Sequence, residues 1–271
     1  MEDLSAPSAF FDMHIKRLLR HPSRNLQKLA RHPSLLLCLL GGEEALARRH
    51  VMIELDAAET IYTQCAVGIK DRGLLDSHSV IAQIHSYFQK RNCYHNSFLY
   101  GVVRWFQPRV VIETGVHYGA SSAFTLSALR CNDVGHLYSI DLPNQTYALD
   151  SKVIDRRTHS DLVPRGRNPG FAVPDHLRQR WSRVLEDVRD VLPRLAQTQC
   201  VDLFFHDSAH TYQIMKFECE TVWPVITSGG ILLSDDVDWS DGFQDFCTSR
   251  SLRYSILDER GCESKRLCIK A

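Results

Sequence analysis

Two short runs of the chain end in ionisable groups of the kind that take part in group transfer. Asp202-Leu203-Phe204-Phe205-His206-Asp207-Ser208-Ala209-His210-Thr211-Tyr212 is an apolar stretch closed by acids and imidazoles, and Gly229-Gly230-Ile231-Leu232-Leu233-Ser234-Asp235-Asp236 is a second one closed by two acids. If the two runs are parallel neighbours in a sheet, Asp207, Asp235 and Asp236 emerge on the same rim. Three carboxylates so close repel one another unless something neutralises them. A divalent cation is the economical answer, and all-oxygen ligation points to magnesium, manganese or calcium. In the other reading Asp235 or Asp236 caps the following turn, and Asp207 pairs with a lysine or arginine. His210 stands three residues beyond Asp207, so both side chains can face one pocket. An imidazole with an unperturbed pKa of about 6.5 suits a base for a hydroxyl or ammonium nucleophile, although with 13 histidines in the chain a structural role stands beside it. His206, still inside the apolar run, reads as a packed residue. Phe204, Phe205 and Trp223 read as core, and Tyr212 as half-buried.

A second constellation lies upstream. Val111-Ile112-Glu113-Thr114-Gly115-Val116-His117-Tyr118-Gly119-Ala120-Ser121-Ser122 places two glycines four apart between a strand-like run and a helix-like one. Gly115 lets the chain turn sharply. Gly119 allows a ligand to lie against bare backbone near a helix N-terminus, with Ser121 in the first turn. Asp141, at the end of the next strand, is placed to accept hydrogen bonds from the two hydroxyls of a ribose. Together they describe an adenosine-type ligand. A nicotinamide dinucleotide uses Gly-x-Gly-x-x-Gly, but here the second position after Gly115 is His117, and the looser spacing suits a ligand without a pyrophosphate. Glu113 is expected to contact an ammonium on the ligand, directly or through water, the alternative being that it holds the turn in shape. Asp187 either bonds an adenine amino group or caps the helix that opens at Val188.

The elements that must position these groups follow from periodicity. Residues 1–95 read as a helical N-terminal region, a cap or an oligomerisation surface, with apolar spacings of three and four at Lys16 to Leu19, Leu26 to Leu29, Ala57 to Ala66 and Val80 to Phe88. Two copies of His-Pro-Ser, at His21 and His32, punctuate helix entries and do not make a solenoid. Residues 96–271 read as an α/β domain. Val110 to Ile112, Leu137 to Ile140, Arg183 to Leu185, Val201 to Phe205 and Gly230 to Leu233 are strands; Ala123 to Leu129, Val188 to Leu195 and Thr211 to Val222 are helices between them. Alternation of this kind implies a mostly parallel sheet with helices on both faces. Residues 142–180 have no clear period and leave the second strand at its ligand-binding end, so they read as a substrate lid.

Lys plus Arg and Asp plus Glu both number 32, which leaves no positive field to draw the chain onto nucleic acid or anionic lipid. Nine cysteines without a CxxC pair argue against a zinc site or a disulfide framework and make a reducing cytoplasm the simplest compartment. The apolar stretch Ser34 to Leu40 is too short for a membrane span and begins too deep for a signal peptide, so nothing is expected to target or anchor the protein.

Glu113-Thr114-Gly115, Ser139-Ile140-Asp141-Leu142-Pro143, the run from His206 to Tyr212 and the run from Gly229 to Asp236 resemble the class I S-adenosylmethionine-dependent methyltransferases. The resemblance spans about residues 95 to 250 and is nearest to the branch of catechol and natural-product O-methyltransferases. It implies a Rossmann-like fold, S-adenosylmethionine as cofactor, and in-line transfer of a methyl group to a small molecule. In metal-dependent relatives an acid after the fourth strand and an acidic or amide pair after the fifth hold magnesium, which falls on Asp207, Asp235 and Asp236. The catechol-type enzymes carry a lysine base where this chain has His210, and macrolide-type sugar enzymes an acid where it has Ala209. Helical extensions in such enzymes often build a dimer. Two other readings use the same residues: a nicotinamide-dependent oxidoreductase, and a non-catalytic adenosyl-ligand-binding partner protein.

Overall fold

The β-branched runs do form strands, and the stretches with apolar spacings of three and four do form helices. The computed structural model describes residues 43–71, 73, 76–91, 96–143, 167–257 and 265–271. The helices expected before Leu40 and the two His-Pro-Ser copies lie outside the described residues. Three helices come first: α1 (Glu43–Asp71), α2 (Ser77–Gln89) and α3 (Phe98–Phe106). Then strands and helices alternate through β1 (Val110–Thr114), α4 (Ala120–Asn132), β2 (His136–Asp141), β3 (Trp181–Leu185), α5 (Val188–Thr198), β4 (Val201–His206), α6 (Tyr212–Val222) and β5 (Ile226–Ser234). The chain ends with α7 (Gly242–Ser249), β6 (Tyr254–Leu257) and β7 (Lys265–Ile269).

The strands form one sheet in the order β3-β2-β1-β4-β5-β7-β6. β1 to β5 are parallel, whereas β7 runs antiparallel to both β5 and β6. Consecutive residues of each parallel strand face opposite sides, so two cores form. Val111, Leu137, Leu203, Phe205 and Leu233 join a core with α1 to α4, and Ile112, Ile140, Phe204 and Leu232 join one with α5, α6 and α7. The described part of the N-terminal region is thus one covering layer of the sheet: Val80, Ile81, Ile84 and Phe88 of α2 and Phe98, Leu99, Val102 and Val103 of α3 are buried in the first core. The expected division at residues 95 and 96 separates no core from another.

The segment read as a lid divides. Residues 144–166 lie outside the described residues. Phe171, Ala172 and Val173 are buried, and a 3-10 helix (Asp175–Arg180) leads directly into β3. This half belongs to the body of the domain. No described helix is long and apolar enough to cross a membrane.

Candidate active site

Parallel register builds the site. Thr114 of β1 lies opposite His206 of β4, and His206 opposite Ser234 of β5, so the next residues, Gly115, Asp207 and Asp235, leave the sheet along one row. Backbone hydrogen bonds extend the ladder by one step: Asp207 N donates to Thr114 O at 2.9 Å, Asp235 N to His206 O at 2.9 Å, and Gly115 N to Ile140 O at 2.9 Å. Between β1 and β4 the strand order reverses direction, which is where open α/β sheets hold their ligands.

The turn after β1 depends on its glycines for reasons only partly visible in the sequence. Gly115 has φ +81°, and a Cβ there would lie 1.8 Å from the carbonyl oxygen of Asp207. Its bare backbone therefore lets the first turn pack directly against the acidic turn after β4. Gly119, at φ +98°, caps α4, but its open side is filled by protein: a Cβ would lie 2.5 Å from Val173 Cγ2 and 2.9 Å from Gly170 Cα. Gly170 N and Ala172 N donate to His117 O (2.7 Å) and Tyr118 O (3.0 Å), so the segment before β3 clasps the turn. The close approach expected of a ligand at Gly119 is made by residues 170–173.

The acids expected to bind the cofactor are differently engaged. Glu113 is buried, and its carboxylate accepts from the hydroxyls of Ser121, Ser122 and Ser139. The serines tie the end of β1 to α4 and β2, and burial pushes the Glu113 carboxyl above its usual range despite them. Contact of Glu113 with a ligand ammonium is thereby replaced by the alternative in which it holds the turn in shape, and Ser121 shares that work. Asp141 Oδ2 accepts from Val116 N at 2.8 Å and His117 N at 2.9 Å, and its Oδ1 from Leu142 N at 2.7 Å. It stands at the end of β2, as expected, and shapes the turn directly. Asp187 is the N-cap of α5, accepting from Arg189 N at 2.8 Å and pairing with the Arg189 guanidinium, which holds its carboxyl below the usual range. Of its two readings, the structure has the cap.

Asp207, Asp235, Asp236 and His210 do come together. His210 Nε2 lies 3.4 Å from Asp236 Oδ2 and 3.9 Å from Asp207 Oδ1. Burial, then the neighbouring carboxylate of Asp235, drives the Asp207 carboxyl well above its usual range. The counter-charge that the acids require is on the chain itself. Lys265, the first residue of β7, places Nζ 2.6 Å from Asp235 Oδ1, with the two side chains 1% and 4% exposed. Asp235 Oδ1 also accepts from Asp236 N at 2.9 Å. A divalent ion fits poorly here, because Asp235 Oδ1 is already held by an ammonium and an amide. Among the described residues no three His, Cys, Asp or Glu side chains are grouped to hold a metal ion. The expected magnesium or manganese ligand set of Asp207, Asp235 and Asp236 is not assembled among the described residues, where Asp235 meets Lys265 instead.

His210 differs from the expected base in two ways. Its side chain is only 4% exposed, against 23% for Asp207 and 28% for Asp236. Burial and the nearby His206 lower its pKa to about 3, so the ring is neutral near pH 7 and a weak proton acceptor. His206 is a packed residue, as read: Nδ1 lies 2.7 Å from Glu218 Oε2, and its ring meets that of His210 edge to face.

Three participants escaped sequence reasoning. Glu218 gathers the Thr114 hydroxyl (2.5 Å), the Ser208 hydroxyl (2.6 Å) and His206, and so joins β1, β4 and α6 beneath the rim. Its signal was an acid within the apolar stripe Ile214, Met215, Cys219 and Val222. Lys265 was visible as a lysine heading an apolar strand. Asn96, whose Nδ2 is 3.5 Å from Asp207 Oδ2, carried no signal.

Residues 112–237 match a family model described as a methyltransferase domain. No curated protein matches the chain. Among solved structures, the O-methyltransferase TomG from Streptomyces achromogenes, involved in tomaymycin synthesis and in complex with S-adenosylmethionine, is 16% identical over 76% of this chain and 96% of its own, with a TM-score of 0.47. An O-methyltransferase from Bacillus cereus in complex with S-adenosylhomocysteine is 12% identical over 79% of this chain and 100% of its own, with a TM-score of 0.46. Residues 112–237 are thus similar to a methyltransferase domain, on a parallel sheet whose glycine turn, Asp141 and Asp207 share one rim.

Proposed function

We propose that the protein methylates a hydroxyl oxygen of a small molecule, with Asp207 receiving the proton. The observation that carries this reading is the contact of the two turns: the glycine turn after β1 and the acidic turn after β4 touch backbone to backbone at Gly115 and Asp207. A methyl donor held by the first turn would then lie beside a carboxylate on the second. The donor set fits an adenosyl ligand, with Asp141 at the end of β2 for ribose hydroxyls and the turn from Gly115 to Gly119 leading into α4. When bound, S-adenosylmethionine supplies an electrophilic methyl carbon whose bond electrons depart with the sulfur. The chain's own work is alignment and proton transfer.

Asp207 suits the proton's destination in both place and charge. It is exposed enough to meet a substrate hydroxyl, and although burial and Asp235 raise its carboxyl, the Lys265 charge favours the ionised form that can accept a proton. In such a transfer the Asp207 carboxylate would accept the proton of the substrate hydroxyl. His210, neutral and buried, packs beside both acids, with Nε2 3.4 Å from Asp236 Oδ2 and 3.9 Å from Asp207 Oδ1. Glu218 holds His206 against His210 from below.

The test pairs calorimetric titration of S-adenosylhomocysteine and NAD with radiolabelled methyl transfer from S-adenosylmethionine to a panel of phenols and sugars. S-adenosylhomocysteine should bind and NAD should not. Asp207→Asn should keep that affinity and lose on the order of 10²–10⁴ in transfer rate. Binding of NAD alone, or transfer by D207N within a few-fold of wild type, overturns the reading.

A further inference from the structure

We propose that Lys265 is the resident cation of the acid cluster and that methyl transfer by this protein therefore needs no divalent metal. The inference deepens the proposed methyl transfer and rests on it. Three carboxylates, Asp207, Asp235 and Asp236, leave the sheet at neighbouring strand ends, and positive charge is required to hold them together. Lys265 supplies it from the far side of the sheet's antiparallel edge. β7 pairs with β5 so that Arg266 lies opposite Ser234, which sets Lys265 beside Asp235.

The pair is built into the protein. Both side chains are almost wholly buried, Nζ is 2.6 Å from Asp235 Oδ1, and the ammonium lies 5.9 Å from the centre of the Phe98 ring. An ammonium removed from water in this way is tied to its carboxylate, because separating them would leave two uncompensated buried charges. A metal approaching Asp235 Oδ1 would have to displace both that ammonium and the Asp236 amide. One fixed charge at the back of the cluster also leaves the two more exposed acids, Asp207 and Asp236, turned toward the substrate side. Lys265 is thus a positioning residue: it acts on the substrate through the acids.

The measurement is Mn²⁺ uptake by the full-length protein, followed by the loss of the free-ion electron paramagnetic resonance signal. Wild type should take up no Mn²⁺ at millimolar concentration, and its transfer activity should survive exhaustive EDTA treatment. Lys265→Met, which keeps the side-chain length without the charge, should bind Mn²⁺ at least tenfold more tightly than wild type, and the double variant K265M/D235N should lose that gain. If K265M does not fold, wild type and Asp236→Asn decide alone. Uptake of one Mn²⁺ per wild-type chain that D236N abolishes overturns the proposal, and absence of uptake supports it. S-adenosylhomocysteine binding, measured on the same wild-type sample, tests the methyltransferase reading separately: its failure sinks that reading and leaves the Mn²⁺ result intact.

Discussion

Substitution of Gly115 by alanine probes the contact on which the site is built. The new methyl carbon would stand 1.8 Å from Asp207 O, 2.4 Å from its carbonyl carbon and 2.8 Å from Ser208 N. All three are backbone atoms, so no side chain can swing away. Reaching even 3.0 Å from the oxygen needs about 1.2 Å of backbone displacement, in strands whose ladders resist it. The residue also has φ +81°, where an alanine costs about 1–2 kcal/mol. Overpacking adds roughly 1–3 kcal/mol. Gly229 is the control: its φ is +78°, but a Cβ there would meet nothing within 4 Å, so G229A bears only the conformational part. For a domain of this size each kcal/mol moves Tm by about 2–4 °C, which gives a loss of roughly 4–20 °C for G115A against roughly 2–8 °C for G229A. Thermal unfolding monitored by circular dichroism measures both. Because relief of the clash pushes Asp207 away from the glycine turn, methyl transfer should also fall in the folded fraction of G115A and stay unchanged in G229A. A G115A protein that melts no lower than G229A and transfers methyl groups normally refutes the close-contact argument.

Two further outcomes follow from the same geometry. His210 titrates near 6.5 in the unfolded chain but at about 3 when folded, so the unfolded chain binds more protons between these values and stability declines as pH falls through that window. In His210→Asn, urea unfolding from about pH 7 to about pH 4 should show a flatter decline, and an unchanged slope would remove His210 from the account. Asp141→Ala deletes the acceptor of Val116 N, His117 N and Leu142 N, so S-adenosylhomocysteine affinity should drop at least tenfold by calorimetry, about 1.4 kcal/mol, with Asp141→Asn intermediate. Wild-type affinity in a folded D141A would show that neither the turn nor a ribose depends on this carboxylate.

The sequence by itself determined the mostly parallel sheet and the glycine turn, and it put Asp207, Asp235 and Asp236 on a common rim on the condition that their strands are parallel neighbours. Each follows from short-range information: β-branched runs five or six residues long, helical spacing between them, and the rule that consecutive parallel strands end on the same side. It could not determine which partner each polar group takes, because those partners lie far apart along the chain. Glu113 is spent on Ser121, Ser122 and Ser139, and Gly119 on Gly170 and Val173, contacts that exist only once α4 and the segment before β3 are packed. The antiparallel turn of β7 back against β5 was equally invisible, since a strand's direction depends on where the preceding chain leaves it. That single choice brings Lys265 30 residues back to Asp235, where the sequence had left a metal and a basic side chain both open as partners of the acids.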